Sequence, residues 1–311
     1  MKTETFNLTA EDNTAIVVYS WLPDERQNVK GVIQVVHGMA EHAARYDDFA
    51  RFMVAAGYAV FANDHRGHGK TAGTVENTGI IAGVNSWLSV LGDLKLLNRE
   101  IHKAYDDFPI IMLGLSMGSF YTRAYLEKYP ETISGAVISG TAWHPALLLC
   151  FGLTVAKLQC FFKGEKNRSK LLDKLSFGAF NNKFKPCVTP FDWLSRDAEV
   201  CKKYTDDDFC GWVATSSFFR ELFRLLKFIH KPDLYRNVDK KIPILLIAGE
   251  KDPVGNFSEG PQKMFSYLKS KNFSNTELKL YAGARHEVLN ELNKAEVYKD
   301  VLEWIQIVVS S

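Results

Sequence analysis

Short apolar runs alternate with longer amphipathic stretches through most of this chain. Gly31-Val32-Ile33-Gln34-Val35-Val36, Tyr58-Ala59-Val60-Phe61-Ala62 and Pro109-Ile110-Ile111-Met112-Leu113 have strand length and β-branched or aromatic content. Residues 133–139, 242–248 and 277–281 continue the series. Between them, residues 46–56, 87–105, 258–268 and 295–308 carry apolar positions at helical spacing, and Gly57 supplies a stop for the first helix. Residues 6–8 and 15–21 read as a hairpin turning at Glu11-Asp12-Asn13. Strands that are apolar on both faces must be covered on both faces. The pattern therefore predicts an α/β fold, a mostly parallel sheet with helices on either side.

The rhythm stops between Gly140 and about Lys240, where residues 145–162, 171–177, 198–204 and 217–228 all read as helices. This is an insertion, and the expected division is a core of residues 1–140 and 241–311 with a helical cap or lid at 141–240. Residues 146–153 are apolar all round the helix, so they are either buried or meet lipid. The greasy run 146–156 is shorter than a bilayer crossing requires.

Composition and charge narrow the picture. With 46% apolar residues and a net charge of +2 from 38 basic and 36 acidic side chains, the chain is globular and has no field that argues for nucleic acid. From Lys157 to Lys203, eleven Lys and Arg face five Asp and Glu. The default reading of that excess is a solvated face; transient contact with an anionic membrane surface is the alternative. The start has no signal-peptide core, which predicts a cytoplasmic protein, and all five cysteines lie in the insertion without a C-x-x-C pair, which predicts reduced thiols. No metal-ligand spacing is visible, so no metal is expected.

Chemistry enters at Gly114-Leu115-Ser116-Met117-Gly118, a G-x-S-x-G between a strand and a helix. A serine in such a turn stands clear of the sheet, and the glycines let helix and strand approach. A serine hydroxyl needs a base, and the base a carboxylate to orient it. Of eight histidines, only His144, His230 and His286 follow Ser116, and of these His286 alone lies outside the insertion, just after a strand. Asp252, in the loop after the preceding strand, is the expected acid, with Glu250 as the alternative. Two backbone N–H groups should hold an oxyanion, from Met117 and from Met39 in the loop His37-Gly38-Met39-Ala40-Glu41-His42. Asp64-His65-Arg66-Gly67-His68-Gly69 reads as a structural loop near the site.

These segments, with Arg45-Tyr46, Asp252-Pro253 and Gly283-Ala284-Arg285-His286, resemble the monoacylglycerol lipase and lysophospholipase family of serine α/β-hydrolases in its bacterial branch. The resemblance covers nearly all the chain outside the insertion. It implies an eight-stranded α/β-hydrolase core with an inserted lid between strands six and seven, and cofactor-free hydrolysis of single-chain lipid esters, monoacylglycerol or lysophospholipid. It also implies that Glu41 and Arg45 help bind the substrate's alcohol part, a surface ion pair being the other reading. The chain departs from the family at Leu115, where His is frequent, and at Ala40, where Gly is frequent, so Leu115 is a candidate specificity position. A broad short-chain carboxylesterase and a peptidase of the same fold are the alternative activities.

Overall fold

One mixed sheet runs through the molecule in the order β1-β2-β4-β3-β5-β6-β7-β8. The computed structural model describes residues 1–25, 29–81 and 83–310. The strands are β1 (Lys2–Thr9), β2 (Ala15–Leu22), β3 (Gly31–Val36), β4 (Tyr58–Asn63), β5 (Ile110–Leu115), β6 (Gly135–Ser139), β7 (Ile244–Gly249) and β8 (Thr276–Tyr281). β1 and β2 form the expected hairpin, β2 runs antiparallel to β4, and every pairing from β4 to β8 is parallel. All residues of β3 to β7 are buried, the physical reason for their continuous apolar runs. β8, at the sheet edge, is buried only at its ends and alternates exposed Glu277 and Lys279 with half-buried Leu278 and Leu280.

Helices α1 (Asp47–Ala55) and α9 (Lys294–Ser310) cover one face, where Phe49, Met53, Val301 and Ile305 pack against Ile33, Val35 and Leu113. The other face takes α2 (Trp87–Ala104), α3 (Met117–Lys128) and α8 (Glu259–Ser270), with Leu94, Ala124 and Met264 in its core. The division into a sheet between two apolar layers is thus the one its patterning requires.

Between β6 and β7 lie α4 (Ala146–Lys163), α5 (Lys170–Phe177), α6 (Ala198–Asp206) and α7 (Ser216–Ile229). Ser169, Asp197 and Thr215 cap the last three by accepting hydrogen bonds from Leu172, Glu199 and Phe218 N–H. α4 lies on α7: a Cβ at Gly152 would come within 2.5 Å of the Phe223 ring, so the missing side chain sets the close approach.

α4 matches the helix expected at 145–162 to within one residue, but its apolar character runs past residue 156: at 18 residues with mean hydropathy 1.5 it is long and apolar enough to cross a membrane by length and composition. Only Leu149, Gly152, Ala156 and Gln159, a helical stripe, are buried. Much of the remainder is open to solvent: Leu147, Phe161 and Phe162 are 85%, 82% and 75% exposed.

Candidate active site

The turn after β5 holds the serine in a conformation few residues adopt. Ser116 has φ 55° and ψ −120°, with Ser139 O accepting from its N–H, and α3 starts at the next residue. The left-handed backbone is a strain that the packed strand and helix on either side must sustain. The flanking glycines are sterically required. A Cβ on Gly118 would lie 1.9 Å from Val36 O, and one on Gly114 would lie 2.3 Å from Gly118 O. The helix N-terminus beginning at Met117 brings its unpaired N–H groups and positive dipole end to the serine.

β7 and β8 deliver the other two groups. Asp252 and His286 are both buried, and His286 Nδ1 lies 2.9 Å from Asp252 Oδ1. The acceptor carboxylate fixes the proton on Nδ1 and leaves Nε2 as the basic nitrogen. Burial opposes charging of His286. The facing Asp252, followed by Glu287 and Glu41, outweighs that cost and holds its pKa above the ordinary value. Asp252 is itself braced by Val254 N–H, 2.8 Å from the same oxygen. Glu250, the alternative acid, is exposed.

The loop after β3 closes against the serine, since a Cβ on Gly38 would come within 3.3 Å of Ser116 Cβ. Ala40 has φ 56°, a left-handed conformation that explains why glycine suits this position. Tyr204 OH and Gly211 N–H, both from the insertion, donate to Ala40 O at 2.7 and 2.9 Å.

Glu41 and Arg45 form no surface pair. Arg45 donates to Glu41 Oε2 at 2.5 Å and to both oxygens of Glu287 at 2.7 and 2.6 Å, with side chains 12%, 3% and 3% exposed. Glu41 Oε1 meanwhile accepts from Gly38 N–H and from Tyr46 OH. Burial raises the Glu41 pKa despite Arg45, whereas at Glu287 the guanidinium overcomes burial and lowers it. The Arg45 guanidinium therefore spans two carboxylates, one holding the loop of Met39 and the other adjoining His286.

Ser116, His286, Met39, Met117, Leu115 and Glu41 all border one cavity of about 700 Å³, within the range typical of small-molecule sites. Its far walls are apolar and come largely from the insertion, among them Leu149, Phe177, Trp193, Phe223 and Leu226. The sequence reading did not anticipate Trp193 or Glu287. The Trp193 ring lies 5.2 Å from the His286 ring, and Trp193 O accepts from His286 N–H at 3.4 Å. A carboxylate directly after the histidine was the available signal for Glu287; Trp193 had none. His65 and His68 form no part of the cavity wall. They pack around His37, His65 stacked on it at a ring distance of 3.9 Å and His68 edge-on at 5.0 Å.

A family model, Hydrolase_4, described as serine aminopeptidase, S33, matches residues 27–293. The monoacylglycerol lipase of Mycolicibacterium smegmatis is 30% identical over 293 residues, covering 93% of this chain and 92% of its own length. Mouse monoglyceride lipase is 26% identical, over 89% of this chain and 82% of its own. Among solved structures, a thermostable carboxyl esterase from Bacillus coagulans in complex with glycerol superposes with a TM-score of 0.89 at 26% identity, covering 99% of both chains.

Proposed function

The chain belongs to the Hydrolase_4 family and is a carboxylic-ester hydrolase of α/β-hydrolase fold, and we propose that it cleaves esters of single-chain lipids, monoacylglycerol or lysophospholipid, through an acyl-enzyme on Ser116. The observation that carries this reading is a buried Asp252–His286 pair whose histidine lines the same largely apolar cavity as the strained Ser116.

In the first half of the reaction, His286 Nε2 takes the Ser116 proton as Oγ attacks the ester carbonyl. The negative charge that develops on the carbonyl oxygen is met by the N–H groups of Met39 and Met117. Collapse expels the alcohol, which takes the proton from His286. Water then repeats the sequence on the acyl-serine and releases the fatty acid. Asp252 holds the imidazole in the required tautomer and stabilises the imidazolium throughout.

The acyl chain lies along the apolar walls from the insertion, which serves as a cap, and Leu115 helps shape the site. Because the Arg45 donors are taken up by two carboxylates, Glu41 and Arg45 serve the alcohol end by holding the loop in place rather than by grasping the alcohol with a free guanidinium. The exposed Leu147, Phe161 and Phe162, beside the basic side chains of the same segment, support transient docking of the cap on an anionic membrane surface.

Replacing Ser116 with Ala should abolish turnover of a p-nitrophenyl ester and labelling by a fluorophosphonate; retained labelling would overturn the assignment. A panel of monoacylglycerols, lysophospholipids, short esters and amino-acid amides then ranks the substrate classes. Preference for an amide would favour a peptidase instead.

A further inference from the structure

Where the insertion meets the loop behind Met39, three potential metal donors converge that lie far apart in sequence. His42 closes that loop, whereas Asp207 and Cys210 belong to the turn between α6 and α7. His42 Nε2 lies 2.8 Å from Asp207 Oδ2, and the Cys210 sulfur lies within 4.8 Å of a ligand atom of each. We propose that His42, Asp207 and Cys210 form a binding site for a thiophilic divalent cation of the Zn²⁺ type, and that the ion straps the insertion to the loop bearing Met39.

The donor set fits that ion. Nitrogen, carboxylate and thiolate are the three zinc ligand types, and a fourth tetrahedral position would take water. With metal–ligand bonds of about 2.0–2.3 Å, tetrahedral donors stand roughly 3.3–3.7 Å apart. The His42–Asp207 contact must open by about half an ångström, and the sulfur need close by no more than about 1.5 Å, movements within the reach of side-chain rotation.

The turn is built to present two donors together. Asp207 and Cys210 are separated by two residues, the spacing of paired ligands in structural zinc sites. Cys210 N–H donates to Asp207 O and Phe209 N–H to Asp207 Oδ1, both at 2.9 Å, so the turn is fixed from within. The second carboxylate oxygen is the one offered to His42.

Access and charge agree with this. The His42 and Asp207 side chains are 15% and 33% exposed, giving an ion a route from solvent, while Cys210 lies beneath them at 8%. The surrounding ionic groups are Asp207, Glu41 and Glu287 against the single guanidinium of Arg45, an excess of acid that favours a cation. Cysteine binds a metal as the thiolate, so the free Cys210 thiol must give up its proton. Binding displaces that proton to solvent as the sulfur–metal bond forms, which makes affinity rise with pH.

The strap would act where the insertion already holds the loop. Tyr204 OH and Gly211 N–H, on either side of the proposed ligands in sequence, both donate to Ala40 O, next to Met39. An ion held by His42, Asp207 and Cys210 replaces the direct His42–Asp207 contact, the third tie between the same two segments, with a stronger one.

The test is titration of the metal-free full-length protein with Co²⁺, followed by displacement with Zn²⁺. The expected result is one Co²⁺ per chain, with thiolate-to-cobalt charge-transfer absorption in the near ultraviolet and tetrahedral bands in the visible. Zn²⁺ should abolish both and raise the melting temperature. Cys210→Ser should eliminate the charge-transfer absorption, and His42→Gln should weaken binding at least tenfold. Cys201→Ser, at a buried thiol outside the cluster, should change neither. Melting in chelator verifies that each variant is folded; if Cys210→Ser is not, His42→Gln decides. No stoichiometric uptake at micromolar metal, or charge-transfer absorption that survives Cys210→Ser, would overturn the site.

Discussion

Both carboxylate oxygens of Glu287 accept hydrogen bonds from Arg45, at 2.7 and 2.6 Å, and this joins the residue after His286 to the loop that carries Met39. The proposed base and the proposed oxyanion loop are thereby tied to one guanidinium, and Glu287 also adds negative charge beside the imidazole. Glu287→Gln should lower kcat roughly tenfold, about 1.4 kcal/mol in the barrier. It should also move the acid limb of kcat/KM. Activity requires neutral His286, whose pKa Glu287 helps to raise, so losing that charge lowers the pKa and shifts the limb to lower pH. A purely structural loss would reduce the rate without displacing the limb, which a pH–rate profile of the two proteins distinguishes.

Asp252 offers a second handle on the same histidine. The asparagine amide in Asp252→Asn can turn its N–H₂ toward Nδ1 and favour the tautomer with the proton on Nε2, where it cannot accept the serine proton. A kcat loss on the order of 10⁴ is expected, by analogy with the Asp-to-Asn change in trypsin-like triads. Fluorophosphonate labelling followed over time should slow in parallel. A loss smaller than tenfold would mean that another carboxylate orients His286.

The fold was legible because its determinants are local. β3 to β7 are buried on both faces, which writes an unbroken apolar run at each, and the glycines at 114, 118 and 57 mark turns that backbone sterics demand. Ser116, Asp252 and His286 could be placed because each follows a strand. Partners contributed by the insertion could not be. Trp193 reaches His286 across 93 positions, and Asp207 reaches His42 across 165, with no periodicity to announce either contact. The helix α4 itself lies within one residue of its expected bounds, but Lys157 and Gln159 interrupt the apolar run and hide that the greasy character continues to Phe161 and Phe162. Glu41 and Arg45 were recognised as important but not as partners of Glu287, a residue 242 positions beyond Arg45.

Acid should destabilise the protein through the packed cluster of His37, His65 and His68. Burial is the main cause that holds His65 and His68 at pKa values of about 4 and about 3, and it places His37 well below its ordinary value. In the unfolded chain each protonates near pH 6.5. Their contribution to stability is therefore complete above that pH and is lost as pH falls toward 4, at about 1.4 kcal/mol per pH unit for each histidine. The His68 ring lies against Trp212 and Phe218 at 4.9 and 5.6 Å, so His68→Phe suits its surroundings. Denaturant unfolding between pH 6 and 4.5 should show a slope about 1.4 kcal/mol per unit shallower in that variant. An unchanged slope would show that His68 does not resist protonation in the native state.

Phe161 and Phe162 end α4 with their rings 5.0 Å apart and almost fully in water, outside the cavity wall, which α4 reaches through Leu149, Phe151 and Gly152. Such a pair costs solubility and adds nothing to the cavity, a combination that makes sense if a lipid surface receives it. Burying each ring in a bilayer interface is worth roughly 1.5–3 kcal/mol, so replacing both with serine should weaken partition onto anionic vesicles by at least a hundredfold. Turnover of a water-soluble short ester should be unaffected, because neither ring lines the cavity. Turnover of vesicle-borne monoacylglycerol should fall with the partition coefficient. Co-sedimentation with vesicles of matched size, run beside the two assays, separates the effects. If vesicle binding persists in the double variant, the lipid contact lies elsewhere on the insertion.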